Sequence, residues 1–172
     1  MANTPSEVLN SLEQMIKNNN IELRYWAPIE SNYLGEAGFF DPDPGGRNVS
    51  DFAREHGLQH RPGITLYRTH CKTPGPVLDE LLTLAHEYGH YCSWRAKERS
   101  AEYETAIECD PCNWSQLSEA SKQLIHGEEK RAWAYANETL RTLEFSDWPS
   151  FEKRESESMK IYCDKLWPKV SG

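Results

Sequence analysis

"LLTLAHEYGHYCSW", residues 81–94, sets His86 and His90 four residues apart, with Glu87 directly after the first histidine. Four residues turn an α-helix by about 400°, so the two imidazoles leave on nearly one face, roughly 40° apart. Two imidazoles on adjacent turns can grip one metal ion. Glu87 leaves in a neighbouring direction, where a carboxylate can contact a water on the metal instead of the metal. Catalytic zinc keeps three protein ligands and one open position. It lowers the pKa of the water there, and a carboxylate can take the proton and pass it to a leaving amine. That division of labour is the physical content of H-E-x-x-H. The plainer alternative is a helix with two histidines near its surface and a solvated Glu87.

The motif lies inside a longer periodic stretch, "TPGPVLDELLTLAHEYGHYCSWRAKE". Leu78, Leu82, Ala85, His86, Gly89, His90 and Ser93 follow a helical period, predicting a helix that begins near Pro76. Gly89 would let a second helix approach. Upstream, "PGITLYRTHC" reads as a strand with Ile64, Leu66 and Arg68 on one side. Earlier still, "TPSEVLNSLEQMIKNN" predicts an amphipathic helix capped by Thr4 or Ser6, with Val8, Leu9, Leu12 and Ile16 on one face. "IELRYWAPI" has a strand-like pattern, "LGEAGFFDPDPGGRNV" a short apolar piece and then turn residues, and "DFAREHGL" a short helix ended by Gly57. Downstream, "CDPCNW" interrupts the pattern. "SQLSEASKQLIHGEEKRAWAYANETLRTLEF" resumes it, with room for a break at Gly127, and "WPSFEKRESESMKIYCDKLW" predicts a last, mostly solvated helix. Strands early and helices late give one α+β domain over residues 1–172, with core motifs at about 62–143 and a helical tail at about 149–167.

A catalytic zinc site needs a third ligand. The H-E-x-x-H-x-x-G-x-x-H pattern is absent, because residues 91–96 read "YCSWRA". His126 is the only later histidine, which favours a carboxylate. "GEEKRAWAYANETL" offers Glu128 and Glu129, although acidic residues at a helix start also occur for dipole reasons alone. Helical phase separates the two. Glu129, Ala132, Trp133, Ala136, Leu140 and Leu143 share one face, apolar apart from Glu129. Glu128 lies about 100° round, beside Arg131 and nearer solvent. Glu129 is therefore the expected ligand.

"LLTLAHEYGHY" resembles the active-site helix of the ImmA/IrrE metallopeptidases. "EKRAWAYA" resembles the E-x-x-A-x-x-F-A of their second helix at Glu129, Ala132, Tyr135 and Ala136, and "GITLYRT" resembles the edge strand before their zinc helix. The resemblance spans about residues 62–143 and departs at Arg131, where many members carry an acid. It implies a small zincin-like α+β domain, with a short early sheet on which an active-site helix and a glutamate helix pack. It implies a Zn2+ ion held by His86, His90 and Glu129, with Glu87 as general base and acid in hydrolysis of a peptide bond. A protein or peptide substrate would lie extended along the edge strand near Ile64–Arg68. Sites of this kind often steady the oxyanion with a His or Tyr, here Tyr67, His70, His126 or Tyr135. The rival reading is a regulatory protein-binding module that keeps the fold with little turnover, in which Glu87 has no task.

The rest of the composition excludes more than it assigns. The chain has 172 residues with 19 Lys+Arg against 27 Asp+Glu, a formal net charge of -8. That balance argues against nucleic acid as a partner. The polar "MANTPSEVLN" start lacks the features of a signal peptide, and no apolar run suits a membrane span, so the expected location is cytoplasmic. Five cysteines fit reduced thiols better than a disulfide framework. Cys109 and Cys112 form a lone CxxC, open to a structural metal, a redox pair or no role. "DPDPGGR" lacks the spacing of an EF-hand loop and reads as a turn. His56, His60 and His70 read as structural or exposed, and Trp133, Trp148 and Trp167 as packing residues.

Overall fold

Pro5–Asn18 forms the first helix, α1. Thr4 fixes its start: the Thr4 side chain accepts the Glu7 backbone N–H while the Glu7 carboxylate accepts the Thr4 N–H at 2.8 Å. Such a reciprocal cap satisfies two otherwise orphaned donors. Val8, Leu12 and Ile16 are fully buried on one face. The computed structural model describes residues 3–26, 38–41, 62–67, 77–107 and 111–169. The expected "DPDPGGR" turn and "DFAREHGL" helix lie outside these residues, as do His56, His60, Arg68, His70, Cys71 and Cys109.

Three strands follow: β1 (Glu22–Trp26), β2 (Gly38–Asp41) and β3 (Gly63–Tyr67). Their order is β1-β3-β2. β1 runs parallel to β3 with Leu23 opposite Ile64, and β2 runs antiparallel with Phe40 opposite Ile64. The expectation of an edge strand near Ile64–Arg68 is therefore overturned, because β3 is the centre of the sheet. Ile64, Thr65 and Leu66 are each 4% exposed or less, as a strand covered on both faces requires. Among the described residues β1 and β2 are the edges.

The remaining described chain is helical: α2 (Val77–Arg95), α3 (Ala101–Ile107), a 3₁₀ turn (Pro111–Gln116) that includes Cys112, α4 (Glu119–Thr142) and α5 (Trp148–Leu166). The fold is thus mixed helix and strand, mostly helical. α3 was not expected, and α4 passes through Gly127 without the break that glycine permits. α2 is the central element: every residue from Leu81 to Tyr91 is buried. Helix α1, the sheet and α4 surround it, so its polar residues are enclosed with its apolar ones. Trp133, Ala136 and Leu140 of α4 and Phe151 of α5 complete this core, and Ile125, Tyr103, Trp114 and Leu166 form a second cluster beside it. Among the described residues, no helix is long and apolar enough to cross a membrane.

Gly89 sets how closely α2 and α4 approach. A Cβ at residue 89 would lie 2.0 Å from the Ala132 carbonyl oxygen. No side chain fits there, so glycine on one helix and alanine on the other let the backbones touch.

Three helices end in one way, without glycine. Glu98 donates its N–H to the Ser93 carbonyl and Lys97 to that of Trp94; Ile21 and Asn20 close α1 on Ile16 and Lys17, and Phe145 and Glu144 close α4 on Leu140 and Arg141. These are Schellman closures, whose penultimate donor adopts a left-handed backbone. Asn20, Lys97 and Glu144 have φ of 60°, 59° and 57°.

Candidate metal centre

The Gly89–Ala132 contact decides what lies beside His86 and His90. Glu129 precedes Ala132 by three residues, so close packing of α4 there carries its carboxylate against both histidines. Glu129 Oε2 is 3.2 Å from His86 Nε2, and Glu129 Oε1 is 3.4 Å from His90 Nε2. One ligand atom from each residue lies within 4.8 Å of the others, and all three residues are buried. The imidazole rings are 4.6 Å apart and nearly perpendicular, as two nitrogens aimed at a shared point require.

The donor set suits a metal ion. Two neutral imidazoles and a carboxylate match the ligand types that zinc takes, with one position left open. Glu129 Oε2 is buried and faces His86 Nε2 at 3.2 Å without a well-aligned hydrogen bond among the described residues. A buried carboxylate oxygen left so is costly unless a cation meets it. The group His86, His90 and Glu129 can therefore hold a metal ion. Glu87 is also buried, at 6% exposure, on the same helical turn.

Each histidine is held differently. His86 stacks on the Trp133 ring at 4.4 Å, and Trp133 meets Phe151 edge-on at 5.6 Å. His90 presents Nδ1 to Glu128 Oε1 at 3.3 Å. Phase had placed Glu128 nearer solvent, but it is fully buried. The reason is its partners. Ser93 donates to Glu128 Oε2 at 2.8 Å, Arg99 Nε to Oε1 at 2.8 Å, and Arg131 from two nitrogens to Oε2 at 3.2 and 3.0 Å. Arg99 also donates to the His90 carbonyl at 3.3 Å. Its guanidinium lies between the rings of Phe40 and Tyr103, 5.3 Å from each. A carboxylate that takes the second ring nitrogen of a ligand histidine fixes its tautomer and its aim. Glu128 is therefore placed to aim His90, a contact that helical phase alone does not predict. Ser93, one turn after His90 on an otherwise enclosed helix, was the available signal.

These contacts govern protonation in the metal-free protein. Burial acts to lower the His90 pKa, but the carboxylates of Glu129 and Glu128 outweigh it and push His90 up to about 10. Burial acts to raise Glu128, but His90 and Arg99 hold it down at about 2. Glu129 is lowered in the same way, its burial outweighed by the two histidines.

Of the residues considered for the oxyanion, His126 packs edge-on against Trp167 at 5.6 Å. Tyr135 interacts with Glu98 at the surface. Among the described residues neither makes a hydrogen bond to His86 or His90, although the Glu129 charge reaches His126. Tyr67 ends β3, and His70 lies outside the described residues. Cys92 and Cys163 are free thiols.

Comparison of the chain with protein-family models, characterised proteins and solved structures returns no match.

Proposed function

We propose that the protein is a zinc-dependent metallopeptidase of the gluzincin type, with His86, His90 and Glu129 as ligands and Glu87 as general base and acid. The observation that carries this is the meeting of three buried ligand atoms from two helices beside a buried glutamate that follows the first histidine. The likeness of both helices to the ImmA/IrrE metallopeptidases supports the reading at the level of motifs. When bound, zinc would supply Lewis-acid activation of water and of the scissile carbonyl. Glu87 accepts a proton from the attacking water as its oxygen bonds to the carbonyl carbon. It then delivers that proton to the amide nitrogen, and the C–N bond breaks. Glu128 holds the His90 ring, and the stacked Trp133 holds His86 and keeps water from that side.

An extended peptide needs a free strand edge beside the site. β2 has no partner on its outer side among the described residues, and its Phe40 packs on Tyr91 and Trp94 of α2 with ring centroids at 5.9 Å. β2, not β3, is the strand along which a substrate would add.

Metal content and turnover, measured together, test the proposal. The purified parent should carry about one zinc per chain, and His86→Ala or His90→Ala should lose it. Glu87→Gln should keep zinc yet hydrolyse peptides about 10²- to 10⁴-fold more slowly. Zinc retained in both histidine variants would remove the site. Zinc bound without turnover in the parent would favour a binding module that keeps the metal.

A further inference from the structure

Resting on the metallopeptidase reading, the geometry points to Arg154 as the residue that receives a carboxylate of the substrate next to the scissile bond. We infer that the substrate is a peptide carrying a negative charge there, from an acidic side chain or from its own C-terminus. The placement follows from α2. Thr83 precedes His86 by three residues and Glu87 by four. Around the helix axis it therefore lies roughly 40° from Glu87, one turn before it, and roughly 20° from His90, two turns before it. Helical side chains lean towards the N-terminus, so His86 and Glu87, one turn on, lean towards Thr83. Arg154 Nη2 donates to Thr83 Oγ1 at 3.3 Å.

Helix α5 brings the guanidinium there by a rigid route. Phe151, 1% exposed, packs edge-on against Trp133, which stacks on His86. Arg154 is the next residue of α5 on that side, one turn on. Thr83 is its one hydrogen-bond or ion-pair partner among the described residues, so most of its five donors are uncommitted. The chain has 27 Asp+Glu against 19 Lys+Arg, and Arg99 and Arg131 both lie on a carboxylate. A half-buried guanidinium beside the site that makes no such pair is suited to a carboxylate brought by a ligand, because its planar fork binds one through two parallel hydrogen bonds.

The test uses the full chain loaded with zinc and three succinyl hydroxamates, which anchor on the metal. One is extended by alanine with a free C-terminal carboxylate, one by alaninamide and one by aspartamide. Dissociation constants are read by calorimetry. The parent should prefer a carboxylate probe to alaninamide, and the preferred probe identifies the source of the charge. Arg154→Gln should weaken that probe roughly 10- to 100-fold, leaving alaninamide binding and zinc content unchanged. Arg154→Lys should recover part of the loss. Equal effects on all three probes, or no preference in the parent, would overturn the inference while the metal site stands. A parent that takes up no zinc overturns the metallopeptidase reading and this inference with it. If Arg154→Gln does not fold, the parent's preference and the Arg154→Lys variant decide the matter.

Discussion

Glu128 shows how much a single side chain can hold. Its two oxygens receive Ser93, Arg99 and Arg131 and face His90 Nδ1, with none of its surface exposed. The Arg99 side chain is only 8% exposed, so Glu128 and Arg99 form an enclosed ion pair, with Arg131 reaching it from the surface. Removing one partner from such a pair leaves a buried charge uncompensated, at about 3–5 kcal/mol. Glu128→Gln should therefore lower stability by an amount of that order. It should also weaken zinc binding roughly 10- to 100-fold, the usual cost of losing a group that aims a ligand histidine. Competition with a chromophoric chelator reads the affinity; unchanged affinity would show that Glu128 holds the fold and not the ligand. The candidate ligands were legible because each sits where a helical period puts it: His86 and His90 on one face, Glu129 alone on an apolar one. Glu128 was less legible: Ser93 was its one signal along α2, and the Arg99 that helps to enclose it lies outside α2 and α4.

The close approach of α2 and α4 is the element-scale counterpart. Gly89→Ala places a methyl group 2.0 Å from a backbone oxygen, which no rotamer change relieves. The helices must separate, at about 3 kcal/mol or more for overpacking backbone against backbone, and Glu129 moves with α4. The variant should lose both stability and zinc. A variant that unfolds at a lower temperature yet binds zinc as tightly would show that the contact does not set the ligand distance. The closures at the helix ends allow a change in the other direction. Lys97 adopts φ of 59° with a full side chain. Lys97→Gly should stabilise the protein by about 0.5–1 kcal/mol by relieving left-handed strain, seen as a higher midpoint in urea. A lower midpoint would place the importance of Lys97 in its side chain. At this scale the sequence spoke unevenly. The long apolar periods of α1, α2 and α4 marked those helices. α3, with seven residues, was too short to show a period. The role of β3 depended on pairing with β1 and β2, which local pattern does not encode.

For the molecule as a whole, the centre couples stability to pH with opposite signs on its two sides. In the metal-free protein Glu128 and Glu129 titrate below the ordinary 4.5, so their contribution is present above about 4.5 and lost as pH falls towards 2 and below. His90 titrates at about 10 against an ordinary 6.5, so its contribution is complete below 6.5 and lost as pH rises through 10. The melting temperature without metal should therefore peak between about 4.5 and 6.5. Zinc must displace the His90 proton, so the stabilisation it confers should grow with pH across 5 to 9. At a hundredfold excess over Kd it is about 2.7 kcal/mol, or roughly 5–10 °C for a chain of this size. Thermal melts at several pH values, with zinc and with chelator, check this; a zinc increment independent of pH would show that His90 is not the proton's site. Trp133 also reports on the centre, because it stacks on His86. The indole that walls the site is also its optical witness. Trp133 is 2% exposed, and its ring lies 4.4 Å from an imidazole that the proposal assigns to the metal. Ultraviolet emission from Trp133, isolated as the difference between the parent and Trp133→Phe, should follow occupancy of the centre in real time, without a label and without a substrate.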